Sequence, residues 1–321
     1  MEAAGEARHC KGAARRVTPP DMGLPTSDFN ARNPDALALI ALFLGAVAVG
    51  ASPVFVRISE LGPFATAFYR PFLALPALWL WMRLGGRQGP VRGPRTLRDV
   101  LLLMGAGAFF SGDLAFWHLS ILNTTIANAT LFANMAPLFV TLAIWAIWGQ
   151  RPTRTFVGGM ALALAGSACL GFGSFRLAPD NLLGDGYGIV TALFLSAYLI
   201  AVSRLTATFT VAAIMTWGSL GTAVVLLPVA LLAGENMVAT SLNGWLILLA
   251  LALFSHAAGQ GLIAYALRHL PAAFSSVGLL AEPVAAAALA AVLLSELPGL
   301  WQMGGGIIIL TGIAIARRGS R

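Results

Sequence analysis

Ten long apolar runs, separated by short polar connections, constrain this chain more than any other feature of its sequence. Each run is long enough for a helix that crosses a bilayer, which takes about 20 mostly apolar residues. Only 10% of the 321 residues are charged, too few to coat a soluble fold, so the sequence excludes a soluble enzyme, a nucleic-acid-binding protein and a secreted disulfide scaffold. The runs cover residues 35–57, 62–82, 98–120, 124–148, 155–174, 186–204, 209–233, 243–267, 272–295 and 298–316.

The basic residues indicate how the runs are oriented. If the amino terminus is cytoplasmic, 17 of the 20 Lys and Arg residues fall on the cytoplasmic side, while Arg57 and Arg176 fall outside and Arg70 lies within a run. Because positive residues favour the cytoplasmic side, this distribution predicts that both termini are cytoplasmic. Residues 1–33 contain five basic residues but no apolar segment of a signal peptide, and we expect them to form a flexible cytoplasmic tail.

An internal repeat divides the runs into two sets of five. At an offset of 146, residues 135–170 align with 281–316, so that Pro137 meets Pro283 and Gly166 meets Gly312. Since five is an odd number, the second set enters the membrane from the opposite face. The predicted fold is therefore an all-α integral membrane protein of ten transmembrane helices in two inverted five-helix repeats, residues 34–175 and 185–317. Inverted repeats are typical of transporters whose binding site lies between the halves.

Several motifs resemble one family of membrane proteins. They are LAEP at 280–283, AP at 136–137, FYRPFLALPAL from Phe68, the Gly-rich stretch after SEL at 295–306, and NATLFANMAPLFV at 128–140. Together they resemble EamA-type members of the drug/metabolite transporter superfamily, and the last is similar to the branch of bacterial exporters that handle aromatic and neutral amino acids.

The resemblance implies a multi-pass exporter of small metabolites in the bacterial inner membrane, acting as a monomer or homodimer. Two positions depart from the pattern: Ala136 stands where the second half has Glu282, and Gln150 where relatives often carry Glu. A proton-coupling role for acids at those places in the first half is therefore in doubt.

Five ionisable side chains fall inside predicted helices, where charge is costly without a partner or a wet cavity. At 1.5 Å per residue, Arg70 and Asp113 both lie about 12 Å below the outer surface, which predicts that they pair. Glu282 and His256 lie close to mid-membrane. Arg70 and Asp113 also suit a purely structural ion pair, Glu282 suits local backbone satisfaction before a proline, and His256 suits an ordinary core position. His118 is expected near the outer interface, as a surface residue.

Two prolines occupy matching positions in the halves. Pro137 and Pro283 each lack an N–H, which leaves the carbonyls of Ala133 and Leu279 without their helical donor. We expect bends there, facing a cavity or serving packing alone. Arg70 and Asp113 share with these prolines a predicted structural or gating role.

Small residues recur at a spacing of about four in the fifth and tenth runs. They are Gly158, Gly159, Ala163 and Gly166 in one and Gly304, Gly305, Gly306 and Gly312 in the other. Small residues at this spacing let helices approach closely. We expect these two helices to form a scaffold or a dimer face rather than the transport pathway.

Aromatic and amide side chains near mid-depth predict a substrate site. Aromatic rings attract ammonium groups by about 0.5–2 kcal/mol, and amides hydrogen-bond a zwitterion without selecting one charge. Interhelical hydrogen bonding is the alternative for each polar group. The predicted substrate-binding residues are Tyr69, Trp117, Asn134, Tyr198, Trp217, His256, Gln260 and Glu282.

The function predicted from the sequence is secondary export of small metabolites, most of all amino acids including aromatic ones, by alternating access through a cavity between the repeats. No phosphate-binding loop motif occurs, and no cofactor or metal is expected. The alternative is an intramembrane enzyme acting on a lipid, but Asp113 and His118 are five residues apart and share no helical face. A channel is disfavoured because no ring of like charges is visible.

Overall fold

The computed structural model describes residues 36–85, 91–170, 181–293 and 299–320, which form a set of helices. The predicted tail, residues 1–33, lies outside these ranges. We number the helices in chain order and name separately the π-helical segment Leu251–Gln260, which joins α11 to α12. The helices are α1 (Ala36–Gly50), α2 (Ser52–Ile58), α3 (Pro63–Phe72), α4 (Leu75–Leu84), α5 (Leu97–Asn123), α6 (Ile126–Ala133), α7 (Ala136–Trp148), α8 (Arg154–Leu170), α9 (Leu182–Leu205), α10 (Val211–Leu232), α11 (Leu242–Ala250), α12 (Gly261–His269), α13 (Ala272–Gly278), α14 (Ala281–Leu293) and α15 (Leu300–Gly319).

Eight helical stretches in the described part of the chain are long and apolar enough to cross a membrane. The predicted fifth span holds the shorter apolar helix α8, and the predicted second span is divided into α3 and α4, each of 10 residues. The predicted number of ten spanning helices is therefore not confirmed by helix length and hydropathy. The fold is nevertheless an all-α membrane fold.

Prolines account for the helix breaks. α6 ends before Pro137, α13 ends before Pro283, and α3 ends before Pro76, because proline cannot donate to the carbonyl four residues earlier. The bends predicted at Pro137 and Pro283 are present. The Glu282 amide donates to the Leu279 carbonyl at 2.8 Å, so the carbonyl released by Pro283 is satisfied locally. The side chain of Glu282 takes no part in that repair.

The helices of the two halves pack on one another in matching pairs. α5 contacts α9 and α10, while α1 contacts α12, the π-helical segment and α14. α8 lies along α15, and a side chain at Gly159 or Gly166 would collide with the backbone of Gly312 or Gly305. The small-residue faces of the fifth and tenth runs therefore meet each other within one chain, as a scaffold.

Two carboxylates tie connections of the first half to those of the second. Glu60 accepts hydrogen bonds from the amides of Thr240 and Ser241, at 2.9 and 3.2 Å, and from both hydroxyls. The bond from the Ser241 hydroxyl contributes most to holding the pKa of Glu60 below its ordinary value. Glu235 returns the contact by accepting from the amide of Ala65 at 2.7 Å, at the start of α3.

Candidate functional site

A cavity of about 430 Å³ lies between the two halves of the chain. Its walls come from α1, α2, α3, α5, α6 and the end of α8 in the first half and from α9, the π-helical segment, α12 and α14 in the second. The volume falls within the range of about 300–1,000 Å³ typical of small-molecule sites, and the lining is mainly apolar. Its polar and ionisable lining residues are Ser52, Arg57, Thr66, Arg70, Asp113, Trp117, His118, Thr130, Asn134, Thr191, Gln260 and Glu282.

Seven of the twelve residues predicted to bind substrate or to have a structural or gating role line this cavity. Neighbouring breaks place two of them, because Asn134 lies at the end of α6 and Glu282 at the start of α14. Asn134 is anchored, since its amide nitrogen donates to the Ser167 hydroxyl at 2.9 Å. Their roles as substrate or gating residues stay predictions. The seven are Arg70, Asp113, Trp117, Asn134, Gln260, Glu282 and Pro283.

The other five predicted residues, Tyr69, Tyr198, Trp217, His256 and Pro137, lie outside the cavity lining. The Tyr69 hydroxyl donates to the Met237 carbonyl at 2.6 Å. Their depth in the membrane was readable from the sequence, but the rotation of each helix about its axis was not.

The buried neighbours of the cavity are held in fixed places. The His256 Nε2 lies 2.8 Å from the Ser219 hydroxyl. Tyr198 is buried with its ring against Phe110, at a centroid distance of 4.9 Å. Trp217 is partly buried, and its indole nitrogen has no hydrogen-bond partner among the described residues.

Arg70 supplies the buried positive charge of the cavity. It is 7% exposed, its guanidinium donates to the Ser255 hydroxyl at 3.3 Å, and its guanidinium carbon lies 5.7 Å from the centre of the Phe110 ring. No direct ion pair joins Arg70 to Asp113 within the described ranges. The predicted pair is therefore not formed, because a short polar neighbour and an aromatic face hold the guanidinium instead.

Two carboxylates share the field of that one guanidinium. Arg70 interacts electrostatically with Glu282 and with Asp113. Across the described part of the chain, neither carboxylate accepts a side-chain hydrogen bond, so both keep their oxygens for whatever enters the cavity. One buried guanidinium and two carboxylates around an apolar space suit a small molecule that carries charges of both signs.

The π-helical segment is the feature that sequence reasoning missed. It carries Ser255, whose hydroxyl lies 2.5 Å from the Ser52 hydroxyl on α2 and also meets Arg70. π-helical turns are rare and are frequent at functional sites. No residue pattern in the run predicted one, because the hydrophobicity of the segment lies between that of α11 and that of α12.

Two further lining residues correct the sequence interpretation. His118 is 4% exposed, its Nδ1 lies 2.7 Å from the Leu114 carbonyl, and it lines the cavity, so it is not a surface residue. Arg57, expected in the outer connection, lies at the end of α2 and reaches the cavity rim. No group of three or more metal-ligating side chains occurs among the residues described here.

Comparison with known proteins identifies the family. The model of the EamA-like transporter family matches twice, at residues 36–172 and 182–318. An uncharacterized transporter of Archaeoglobus fulgidus is 27% identical over 267 residues, which covers 81% of this chain and 90% of that protein. A crystal structure of a protein with 21% sequence identity superposes with a TM-score of 0.74, covering 88% of this chain and 96% of the other, and shows the same fold. The chain therefore belongs to the EamA-like transporter family and carries two EamA domains in tandem.

Proposed function

We propose that this chain is a secondary exporter of amino acids, including aromatic ones, that works by alternating access through the cavity between its two repeats. The observation that carries the proposal is the charge pattern of the cavity. An amino-acid carboxylate suits Arg70, and its ammonium group suits Asp113 or Glu282. The apolar wall and the Trp117 ring accommodate the side chain of the substrate.

The proposed topology has ten spans in two inverted repeats, residues 34–175 and 185–317, with both termini in the cytoplasm of a bacterial cell. α3 with α4 forms the second span and α8 the fifth. In that topology the cavity reaches the outer ends of the first and fifth spans at Arg57 and Leu170, and its lining extends inward as far as Ile263 on the eighth span. The structure is then an outward-facing state.

The proposal is tested by flux in proteoliposomes with a panel of radiolabelled amino acids. We expect uptake above protein-free liposomes for at least the aromatic members of the panel. Trp117→Ala removes a ring from the cavity wall and should weaken their uptake, by about 2- to 30-fold if a cation–π contact of about 0.5–2 kcal/mol is lost. Trp301→Ala is the matched control, since Trp301 is 65% exposed and does not line the cavity.

Uptake at the level of protein-free liposomes for every amino acid of the panel would contradict the proposal. Equal loss of uptake in both tryptophan variants would contradict the assignment of this cavity as the binding site. Oligomeric state does not enter the test, because the cavity is built from residues of one chain.

A further inference from the structure

One aromatic side chain lines two separate cavities. Phe110 lines the main cavity and also a second, much smaller cavity of about 10 Å³. The small cavity has room for about one water molecule. Among the described residues, Phe110 is the one lining residue that the two cavities share, so its side chain stands where the two spaces approach each other.

Three neighbours hold that ring in place. Its centroid lies 4.9 Å from the Tyr198 ring on α9 and 5.7 Å from the His256 ring on the π-helical segment. The Arg70 guanidinium lies on the ring from the side of the main cavity, at 5.7 Å. Side chains from three other helical elements thus converge on Phe110, and Arg70 connects the ring to the proposed binding site.

Beneath the ring, α5 and α10 are in direct backbone contact. A side chain at Gly107 would collide with the Gly218 carbonyl, and the Thr222 hydroxyl donates to the Gly107 carbonyl at 2.9 Å. Where the same helices begin, the amide of Arg92 donates to the Thr208 carbonyl at 2.9 Å. The predicted cytoplasmic side of the bundle is therefore sealed along α5 and α10.

Polar side chains lie in the wall of the small cavity. Ser219 and Thr222 line it, as does His256, which is 2% exposed. The His256 Nδ1 is buried and has no hydrogen-bond partner among the described residues. Buried polar groups are normally satisfied, so an unpartnered ring nitrogen here suits a space that fills with water or substrate in another state.

We propose that Phe110 is the closed inner gate of the transporter and that the small cavity is the start of the cytoplasmic half of the pathway, between α5, α9, α10 and the π-helical segment. The inference rests on the proposed function for its orientation, with the main cavity facing outside and the small cavity facing the cytoplasm. A substrate carboxylate that engages Arg70 draws the guanidinium away from the ring it covers. The substrate carboxylate and the Phe110 ring therefore compete for the Arg70 guanidinium, so that substrate binding favours release of the gate.

The test is cysteine accessibility in the full chain, with Cys10 and Cys169 replaced by serine. Ala106→Cys and Ser219→Cys report on the small cavity, and Leu195→Cys reports on the wall of the main cavity. With an impermeant thiol reagent applied outside intact cells, we expect Leu195→Cys to react. The two deeper cysteines should be protected, and Phe110→Ala should abolish that protection.

The matched control is Phe116→Ala, which removes a ring from the same helix. Phe116 stacks on Phe194 at 5.5 Å and lines neither cavity, so the deep cysteines should stay protected. If Phe110→Ala does not fold, Phe110→Leu is the alternative, because it removes the ring but keeps a large apolar side chain. It should also weaken the protection of the deep cysteines.

Each other outcome counts against a distinct statement. Deep cysteines that stay protected in both Phe110 variants, while Leu195→Cys reacts, contradict the gate. Exposure of the deep cysteines in Phe116→Ala as well contradicts a specific role for Phe110. Reaction of Leu195→Cys only from the cytoplasmic side contradicts the orientation in the proposed function. The effect of the Phe110 variants on the deep cysteines is then measured with the reagent applied from that side.

Discussion

At the scale of single residues, the cavity is governed by one guanidinium and two carboxylates. The positions of Arg70, Asp113 and Glu282 within apolar runs predicted that they lie well inside the membrane. Because charged side chains are rare there, the same positions marked them as candidate site residues. The contact that Arg70 makes with Ser255 was not predictable, since it depends on the π-helical segment. The placement of Tyr69 outside the cavity shows the same limit, because residues adjacent in sequence point about 100° apart on a helix.

The shared charge leads to a prediction about stability. Asp113→Asn and Glu282→Gln each leave Arg70 with one acidic neighbour, whereas the double variant leaves the buried guanidinium without either. An unpaired buried charge costs about 3–5 kcal/mol. The double variant should therefore lose more stability in detergent-based thermal unfolding than the two single losses added together. Strict additivity across the four proteins would show that the carboxylates do not compensate one charge.

At the scale of helical elements, the sequence predicts where helices break and misses how they are wound. Three observed breaks each lie just before a proline, which has no N–H to donate to the carbonyl four residues earlier. The prolines are Pro76, Pro137 and Pro283. The π-helical segment, which carries Ser255 and His256, has no such marker in the sequence. Residues beside the proline breaks, Asn134 and Glu282, form part of the cavity wall. The π-helical segment supplies Ser255, the hydrogen-bond partner of Arg70.

The contact between α5 and α10 gives a prediction with a control on the same helix. Gly107→Ala places a methyl group against the Gly218 carbonyl and should lower the thermal stability of the protein. Gly105→Ala adds the same group where nothing lies within 4 Å, so it should be neutral or stabilising by up to about 1 kcal/mol through helix propensity. Thermal unfolding of the two variants measures both effects. Equal melting temperatures would mean that the helices do not touch at Gly107.

The Glu60 connection predicts a pH dependence outside the membrane. Hydrogen bonds from Ser241 and Thr240 lower the pKa of Glu60 in the folded protein, so their contribution is present above the ordinary pKa of a glutamate, about 4. It is lost as the pH falls through the lowered folded-state value. The stability advantage of the parent over Glu60→Gln should therefore shrink on acidification, as followed by thermal unfolding at a series of pH values. An advantage that grows with acid would reverse the assigned direction.

At the scale of the whole molecule, repetition was the most informative sequence signal. The offset that aligned Pro137 with Pro283 predicts a repeat, and the family model matches the chain twice, at residues 36–172 and 182–318. The mutual packing of Gly159 with Gly312 also follows from that repetition, although the sequence left scaffold and dimer face open. The depth and mouth of the cavity were beyond the sequence, because they depend on how the helices of the two halves pack against one another.

Orientation is the whole-molecule property that the arginines predict. Single cysteines at Gly93, in the connection before α5, and at Asp180, between the repeats, should react with an impermeant reagent from opposite sides of the membrane. Gly93→Cys should require access to the cytoplasm, and Asp180→Cys should react in intact cells. Reaction of both from the same side would contradict the inverted repeat.

The proposed function depends on recognition of a zwitterion in the cavity between the repeats. Its most direct test is competition during counterflow in proteoliposomes, using the amino acid that the parent transports fastest. The unlabelled amino acid should compete, whereas its amide, which has no carboxylate for Arg70, and its deaminated acid, which has no ammonium group for Asp113 or Glu282, should each compete about tenfold more weakly or worse. Each analogue loses a charge-assisted hydrogen bond of about 1.5–3 kcal/mol. Equal competition by all three compounds would contradict the account.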